Sequence, residues 1–137
     1  MRDRGATLHA LLDEIEAAAR RLPADHEMLA NLRAQILEGS TTLREAAALI
    51  VRESPSDPEL IGSVAHQFLQ WLGVLIGGWQ WTQYATTALA GKPGADADAT
   101  LNTAAFYAAH ILPRMRTHAA IVAAGSSAVA RISPSSI

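Results

Sequence analysis

Three groups of side chains in this sequence have types that could do chemistry. His110, Arg114 and His118 recur at every fourth residue and would share one face of a continuous helix. Two imidazoles eight residues apart are about 12 Å apart along such a helix, too far to hold one metal ion without a third element. No Asp or Glu accompanies them and no His-Glu-x-x-His pattern occurs, so they read as a partly exposed polar seam and no metal site is expected. Asp13, Glu14, Glu16, Arg20 and Arg21 pair at helical spacing, which describes a solvated helix face with i,i+4 support. A carboxylate pair for acid–base work would need burial and two opposed environments, and the sequence signals neither. With no Ser/His/Asp set and no phosphate-cradling loop, no catalytic residue is assigned.

The aromatic residues Trp71, Trp79, Trp81 and Tyr84 could line a site for an acyl chain or a flavin ring, but helical spacing and large buried area explain them as packing. Trp81 lies off the main stripe and is the better interface candidate. Gly73, Gly77 and Gly78 each cost a helix about 1 kcal/mol relative to Ala. Close helix–helix approach is the expected compensation. A dinucleotide fingerprint is excluded, because no strand precedes these glycines and their spacing is wrong. His66 is expected to be a hydrogen-bonded core or interface residue.

These residues sit on or beside one element. From Leu60 through Gly91 there is no Asp, Glu, Lys or Arg, and no Pro intervenes before Pro93. On a helical wheel Val64, Phe68, Trp71, Leu75 and Trp79 form one stripe, and Leu69, Leu72 and Ile76 a second. A surface helix has one apolar face; a helix apolar around most of its girth has to be covered on several sides.

Around it, three more helices are predicted. Thr7 caps the first, with Leu8, Leu11, Leu12 and Ile15 inward, and Leu22-Pro23 ends it. Asp25 caps the second, which buries Met28, Leu29, Leu32, Ile36 and Leu37 and continues through Gly39-Ser-Thr-Thr42 to Glu53. Ser54-Pro-Ser-Asp-Pro58 is a stop and restart, with Asp57 as N-cap and Pro58 in the first turn of the apolar third helix. Gly91-Lys-Pro-Gly-Ala-Asp96 is a loop. Asp98 or Thr100 caps a fourth helix from Leu101 to about Ile132, its apolar pattern reaching Val129, kinked at Pro113. Residues 1–6 and 133–137 read as frayed tails of a single helical-bundle domain spanning 1–137.

Of the 24 charged side chains (13 acidic, 11 basic), 16 lie in residues 1–54 and only eight in the remaining 83. Short connections make sequential helices antiparallel neighbours. The expected fold is all-α, an antiparallel up-down four-helix bundle with a dry third helix. A two-fold homodimer through that helix, with or without the fourth, is the simplest cover for it.

The net charge of −2 gives no basic field for nucleic acid. The absence of cysteine rules out a disulfide framework and suits a cytoplasmic protein. Met-Arg-Asp-Arg-Gly lacks the apolar run of a signal peptide. Gln67, Gln70, Gln80, Gln83 and His66 interrupt the apolar segment, so no membrane span is expected.

Two segments together carry a resemblance: Phe68-Leu-Gln-Trp-Leu-Gly-Val-Leu-Ile-Gly-Gly-Trp-Gln-Trp81 and Thr103-Ala-Ala-Phe-Tyr-Ala-Ala-His-Ile-Leu-Pro-Arg114. The chain resembles, over about residues 20–130, the C-terminal helical domain of larger bacterial acyl-CoA dehydrogenases such as those acting on methylthio-propanoyl-CoA-type thioesters. The resemblance implies a parent enzyme that oxidises an acyl-CoA thioester with FAD, its catalytic Glu and flavin contacts lying in a preceding core. No part of this sequence matches that core, so no cofactor is expected for this chain alone. The family implies packing or dimerisation, and possible partners are a second copy and the dehydrogenase core. The packing candidates are Phe68, Trp71, Leu72, Gly77, Gly78, Trp79, Trp81, Tyr107 and Pro113. The alternative is a stand-alone helical interaction module without catalysis, and a weaker one is a small apolar ligand between helices near Trp71 and Trp79.

Overall fold

The computed structural model describes residues 5–125. Residues 1–4 of the frayed start expected at 1–6, the helix extension over 126–132 with Val129, and the tail 133–137 lie outside the described residues; Gly5 and Ala6 are ordered at the start of α1. Helix α1 spans Ala6–Arg20, α2 Ala30–Glu53, α3 Glu59–Ala90, α4 Ala95–His110 and α5 Arg114–Ala124. Helices α4 and α5 follow one another as a single broken rod, so the architecture is the expected all-α four-helix bundle.

Its up-down sense follows from which residues meet. Glu16 meets Ser40 and Arg44 while His9, further back on α1, also meets Arg44, so α1 and α2 run antiparallel. Gln67 meets His118 and Val74 meets Tyr107, which sets α3 against the broken rod. The α2 residues Gln35 and Glu38 meet Ala108 and Arg116 in the same order, so these two run parallel. The core is aliphatic, with Leu12, Ile15, Leu32, Ile36, Leu43, Leu75 and Leu112 fully buried around Trp71.

Several boundaries differ from those read in the sequence. Thr7 is not the cap of α1; Gly5 is, at φ 86°, in the left-handed region open to glycine, and the helix begins at Ala6. Asp25 does not cap α2, which starts at Ala30. Leu29 stands at the N-cap without a side-chain cap; in the turns before it the His26 Nδ1 accepts the Met28 N–H at 3.2 Å, and the His26 carbonyl accepts the N–H of Ala30. Two turns therefore precede the helix. Continuity of α2 through Gly39 holds: Gly39 is buried with the Met115 side chain directly over it, so a Cβ there would collide.

The fourth helix starts earlier than expected, at Ala95, and Pro113 breaks it where a kink was expected. The missing proline N–H removes one ladder bond, and the disturbance reaches back one residue. The Leu112 N–H bonds the Tyr107 carbonyl, five residues back, at 3.0 Å, which releases the Ala108 carbonyl. A buried carbonyl without a partner is costly, and Gln35 on α2 donates its Nε2 amide to it at 2.5 Å. The break is thus fastened to a neighbouring helix.

On the α1–α2 side the charges form a clasp. Arg44 donates to Asp13 and to Glu16, and Ser40 donates to the same Glu16 oxygen at 2.9 Å. Burial alone would lower the Arg44 pKa, but the hydrogen bonds and charges of Glu16 and Asp13 outweigh it and hold it above its ordinary value. The expected solvated face is therefore only partly solvated, since Glu16 is buried.

Candidate functional site

The α3–α4 seam is built from the glycines and Tyr107. The Tyr107 hydroxyl donates to the Val74 carbonyl on α3 at 2.7 Å, which requires the ring to lie across the α3 backbone. Gly77 is where it lies: a Cβ built on Gly77 would overlap the hydroxyl and stand 3.0 Å from Cζ. Gly78 makes the adjoining contact, with Leu112 at 3.0 Å and Ile36 at 3.4 Å from the position of a Cβ. Close approach therefore explains two of the three glycines. It does not explain Gly73, which is exposed with open space where a Cβ would stand. The helix pattern carries no signal for this difference, because the partners of the glycines lie thirty or more residues away on other helices.

Burial pushes the Tyr107 hydroxyl above the ordinary tyrosine value, and the positive charge of Arg114 opposes that only in part. The folded protein thus holds this proton more tightly than the unfolded chain. Its contribution to stability is complete below the ordinary tyrosine pKa, about 10, and is lost as pH rises through the higher folded value. Thermal melts of wild type and Tyr107→Phe should differ by about 1 kcal/mol at pH 8 through the lost hydrogen bond, and should converge in alkaline solution. A difference that stays constant to high pH would show that the hydroxyl does not titrate against the fold.

The remaining packing candidates occupy graded positions. Trp71 is 1% exposed at the centre of the core, and Phe68 meets its ring edge-on at 6.4 Å between centroids. Leu72, Trp79 and Pro113 are half-buried. Trp81, also half-buried, meets the exposed Tyr84 edge-on at 5.3 Å. Of the three polar candidates near the break, His110 lies before Pro113, while Arg114 and His118 lie together on α5. His110 ends α4 and stacks on Phe106 at 4.5 Å, Arg114 begins α5, and His118 on α5 places Nδ1 2.7 Å from Gln67 Oε1. His66 is exposed on α3 and is not a core residue. Among the described residues no three of His, Asp and Glu come together in a way that could hold a metal ion.

Much of the apolar α3 stays uncovered by the other described residues. Among its large apolar side chains Ile61 is 54% exposed, Leu69 65%, Tyr84 55% and Leu89 39%. By length and composition this helix could cross a membrane, and only 22% of its most apolar window is buried. Beside its first turns lies a groove of about 370 Å³ lined by apolar residues, including Leu8, Ile50, Val51, Ile61, Val64 and Phe68. A second open cleft, about 500 Å³, sits at the α3–α4 turn between Trp81, Tyr84 and Lys92. Two smaller cavities of about 60 and 180 Å³ touch Trp71. Ile61 and Leu69 were not singled out in the sequence as interface candidates, although their spacing on either side of Ala65 is visible there.

These spaces do not suit a flavin. The cavities at Trp71 fall below the roughly 300 Å³ at which ligand clefts begin. The apolar groove offers no partner for a pyrophosphate, and the wider cleft has Lys92 as its one cation.

The profile of the family described as acetyl-CoA dehydrogenase C-terminal like matches residues 11–133. No curated protein and no solved structure gives a significant match to the chain.

Proposed function

This chain belongs to the acetyl-CoA dehydrogenase C-terminal-like family, and on that premise we propose that it is the helical C-terminal domain of an FAD-dependent enzyme oxidising an acyl-CoA thioester. Within that enzyme its own work is packing: it covers, or is covered by, another apolar surface. The observation that carries this reading is α3, which is uncharged from Leu60 through Gly91 and keeps Ile61, Leu69, Tyr84 and Leu89 in solvent. Apolar surface of this extent on one helix is what an interface provides.

Oxidation of the Cα–Cβ bond belongs to the dehydrogenase core in this reading, and the flavin is held there. The acyl group accepted, methylthio-propanoyl or another, is set by that core. We assign the enzyme to the cytoplasm, which the absence of cysteine supports.

The test is the size of the native product, found by immunoblotting source-cell extract with an antibody to this domain. The expected band is several times larger than 14.5 kDa and runs in a fraction that carries bound flavin. A band at 14.5 kDa without flavin would overturn the enzyme reading and leave a helical interaction module acting alone.

A further inference from the structure

The groove at the start of α3 lies close to where the chain leaves the end of α5. That helix stops at Ala124, and Gly125 follows at φ 58°, in the left-handed region open to glycine. Gly125 stands against the base of α3: a Cβ on it would be 3.2 Å from Leu60 Cδ1. Leu60 precedes Ile61, the first residue of α3 to line the groove, and Val64, one turn on from Leu60, lines it as well. Along the groove Ile61, Ala65 and Leu69 form a ridge whose two large members are 54% and 65% exposed. The twelve residues after Gly125 read Ser-Ser-Ala-Val-Ala-Arg-Ile-Ser-Pro-Ser-Ser-Ile. Within them an apolar stretch, 128–132, is set between serines and carries one charge, Arg131.

We propose that residues 128–132 of the same chain occupy this groove, running along α3 from Ile61 toward Leu69. The reach fits. Three residues past Gly125 span up to about 10 Å, and the stretch 128–132 covers about 13 Å when extended. Residues 61 to 69 cover about 12 Å of helix axis, so position 132 comes level with Leu69. Polarity fits too: the groove is apolar and takes Ala128, Val129, Ala130 and Ile132, while the serines on either side stay in water. Around the α2–α3 turn the charges are Glu53, Asp57 and Glu59 against Arg52, which suits Arg131 as the one charged side chain of the segment. The other end of the chain is a poor rival, since Met1-Arg-Asp-Arg4 is charged at three of its four positions. What singles out this occupant over any free apolar partner is the tether. A segment joined by a few residues meets the groove at an effective concentration of the order of mM, so a separate partner making equal contact loses to it. With Val129 and Ile132 as its only large side chains the contact is reversible, a cover that a more extensive apolar surface displaces. It goes beyond the interface reading and leaves that interface in place, because Tyr84 and Leu89 lie toward the other end of α3.

The sequence has no cysteine, so a cysteine pair placed in the full chain reports a single contact. Leu69→Cys/Ile132→Cys is expected to close an intramolecular disulfide in dilute protein under mild oxidation, read by mass spectrometry without reductant. Closure should be at least about 10-fold faster than for Tyr84→Cys/Ile132→Cys, whose α3 position lies about 22 Å further along the helix. Leu69 and Tyr84 are both more than half exposed, so the variants should melt as wild type does. Adding Val129→Asp to the first pair should slow closure toward the control rate, because a carboxylate does not enter an apolar groove. Equal rates for the two pairs, or closure that Val129→Asp leaves unchanged, would overturn the proposal. A product that is mainly a covalent dimer would overturn it in favour of a second copy. The enzyme assignment is scored apart from this, since the size and flavin content of the native product do not depend on what fills the groove.

Discussion

Gly77→Leu is expected to lift α4 away from α3 and lower the stability of the fold by about 3 kcal/mol or more. The first atom added already decides the sign. A Cβ at position 77 occupies the place of the Tyr107 hydroxyl, and the ring carbon Cζ stands 3.0 Å from it. Tyrosine is a rigid plate and yields only by swinging as a whole, which breaks its 2.7 Å bond to the Val74 carbonyl. Overpacking of this kind costs about 1–3 kcal/mol in cores, and the lost hydrogen bond adds about 1 kcal/mol. The control is Gly73→Ala. Position 73 has open space, so the same kind of change should there stabilise by up to about 1 kcal/mol through helix propensity alone. Urea denaturation midpoints of Gly77→Leu, Gly77→Ala and Gly73→Ala decide the matter. If alanine is tolerated equally at 73 and 77, the close approach at the seam is not what keeps glycine at position 77.

That pair also marks where sequence reasoning stops. Both glycines lie in the same apolar run, and no periodicity distinguishes the one under Tyr107 from the one facing solvent. What separates them is a partner on another helix. The same limit hid the Arg44 clasp: Arg20 pairs with Glu16 at 3.7 Å, as its helical spacing suggests, but the cation that ties Glu16 and Asp13 together comes from α2. Local chemistry was more legible. Pro58 and the Gly91–Gly94 turn sit between helices as their backbone restrictions require. The continuity of α2 followed from its apolar residues on both sides of Gly39. Pro113 was legible as a disturbance but not as a break, because the outcome depended on whether a neighbour could satisfy the freed Ala108 carbonyl. Gln35 can. The interface candidates divide in the same way. Trp71 is buried as its size and spacing suggest, whereas Ile61 and Leu69 are ordinary aliphatic residues whose exposure no local pattern announces.

Trp71 gives the second large effect, and a graded one. It is 1% exposed and is the largest fully buried side chain, so Trp71→Ala should cost about 3–5 kcal/mol as the helices fail to close over the space left. Small cavities already adjoin it, about 60 Å³ and 180 Å³, and truncation would join them through the vacated indole volume. Its indole Nε1, however, is buried with no hydrogen-bond partner, so the native residue carries a penalty of its own, about 1–3 kcal/mol for an unpaired buried donor. Trp71→Phe removes that donor while keeping one aromatic ring against Phe68. The two terms oppose each other, and the net loss should be small, about 1 kcal/mol, well short of the alanine value. Chemical denaturation of both variants tests the balance. A phenylalanine variant as unstable as alanine would mean that the indole N–H contributes a bond and that the centre of the bundle is polar where it looks dry. A near-native one would mean that tryptophan is held at this position by volume alone.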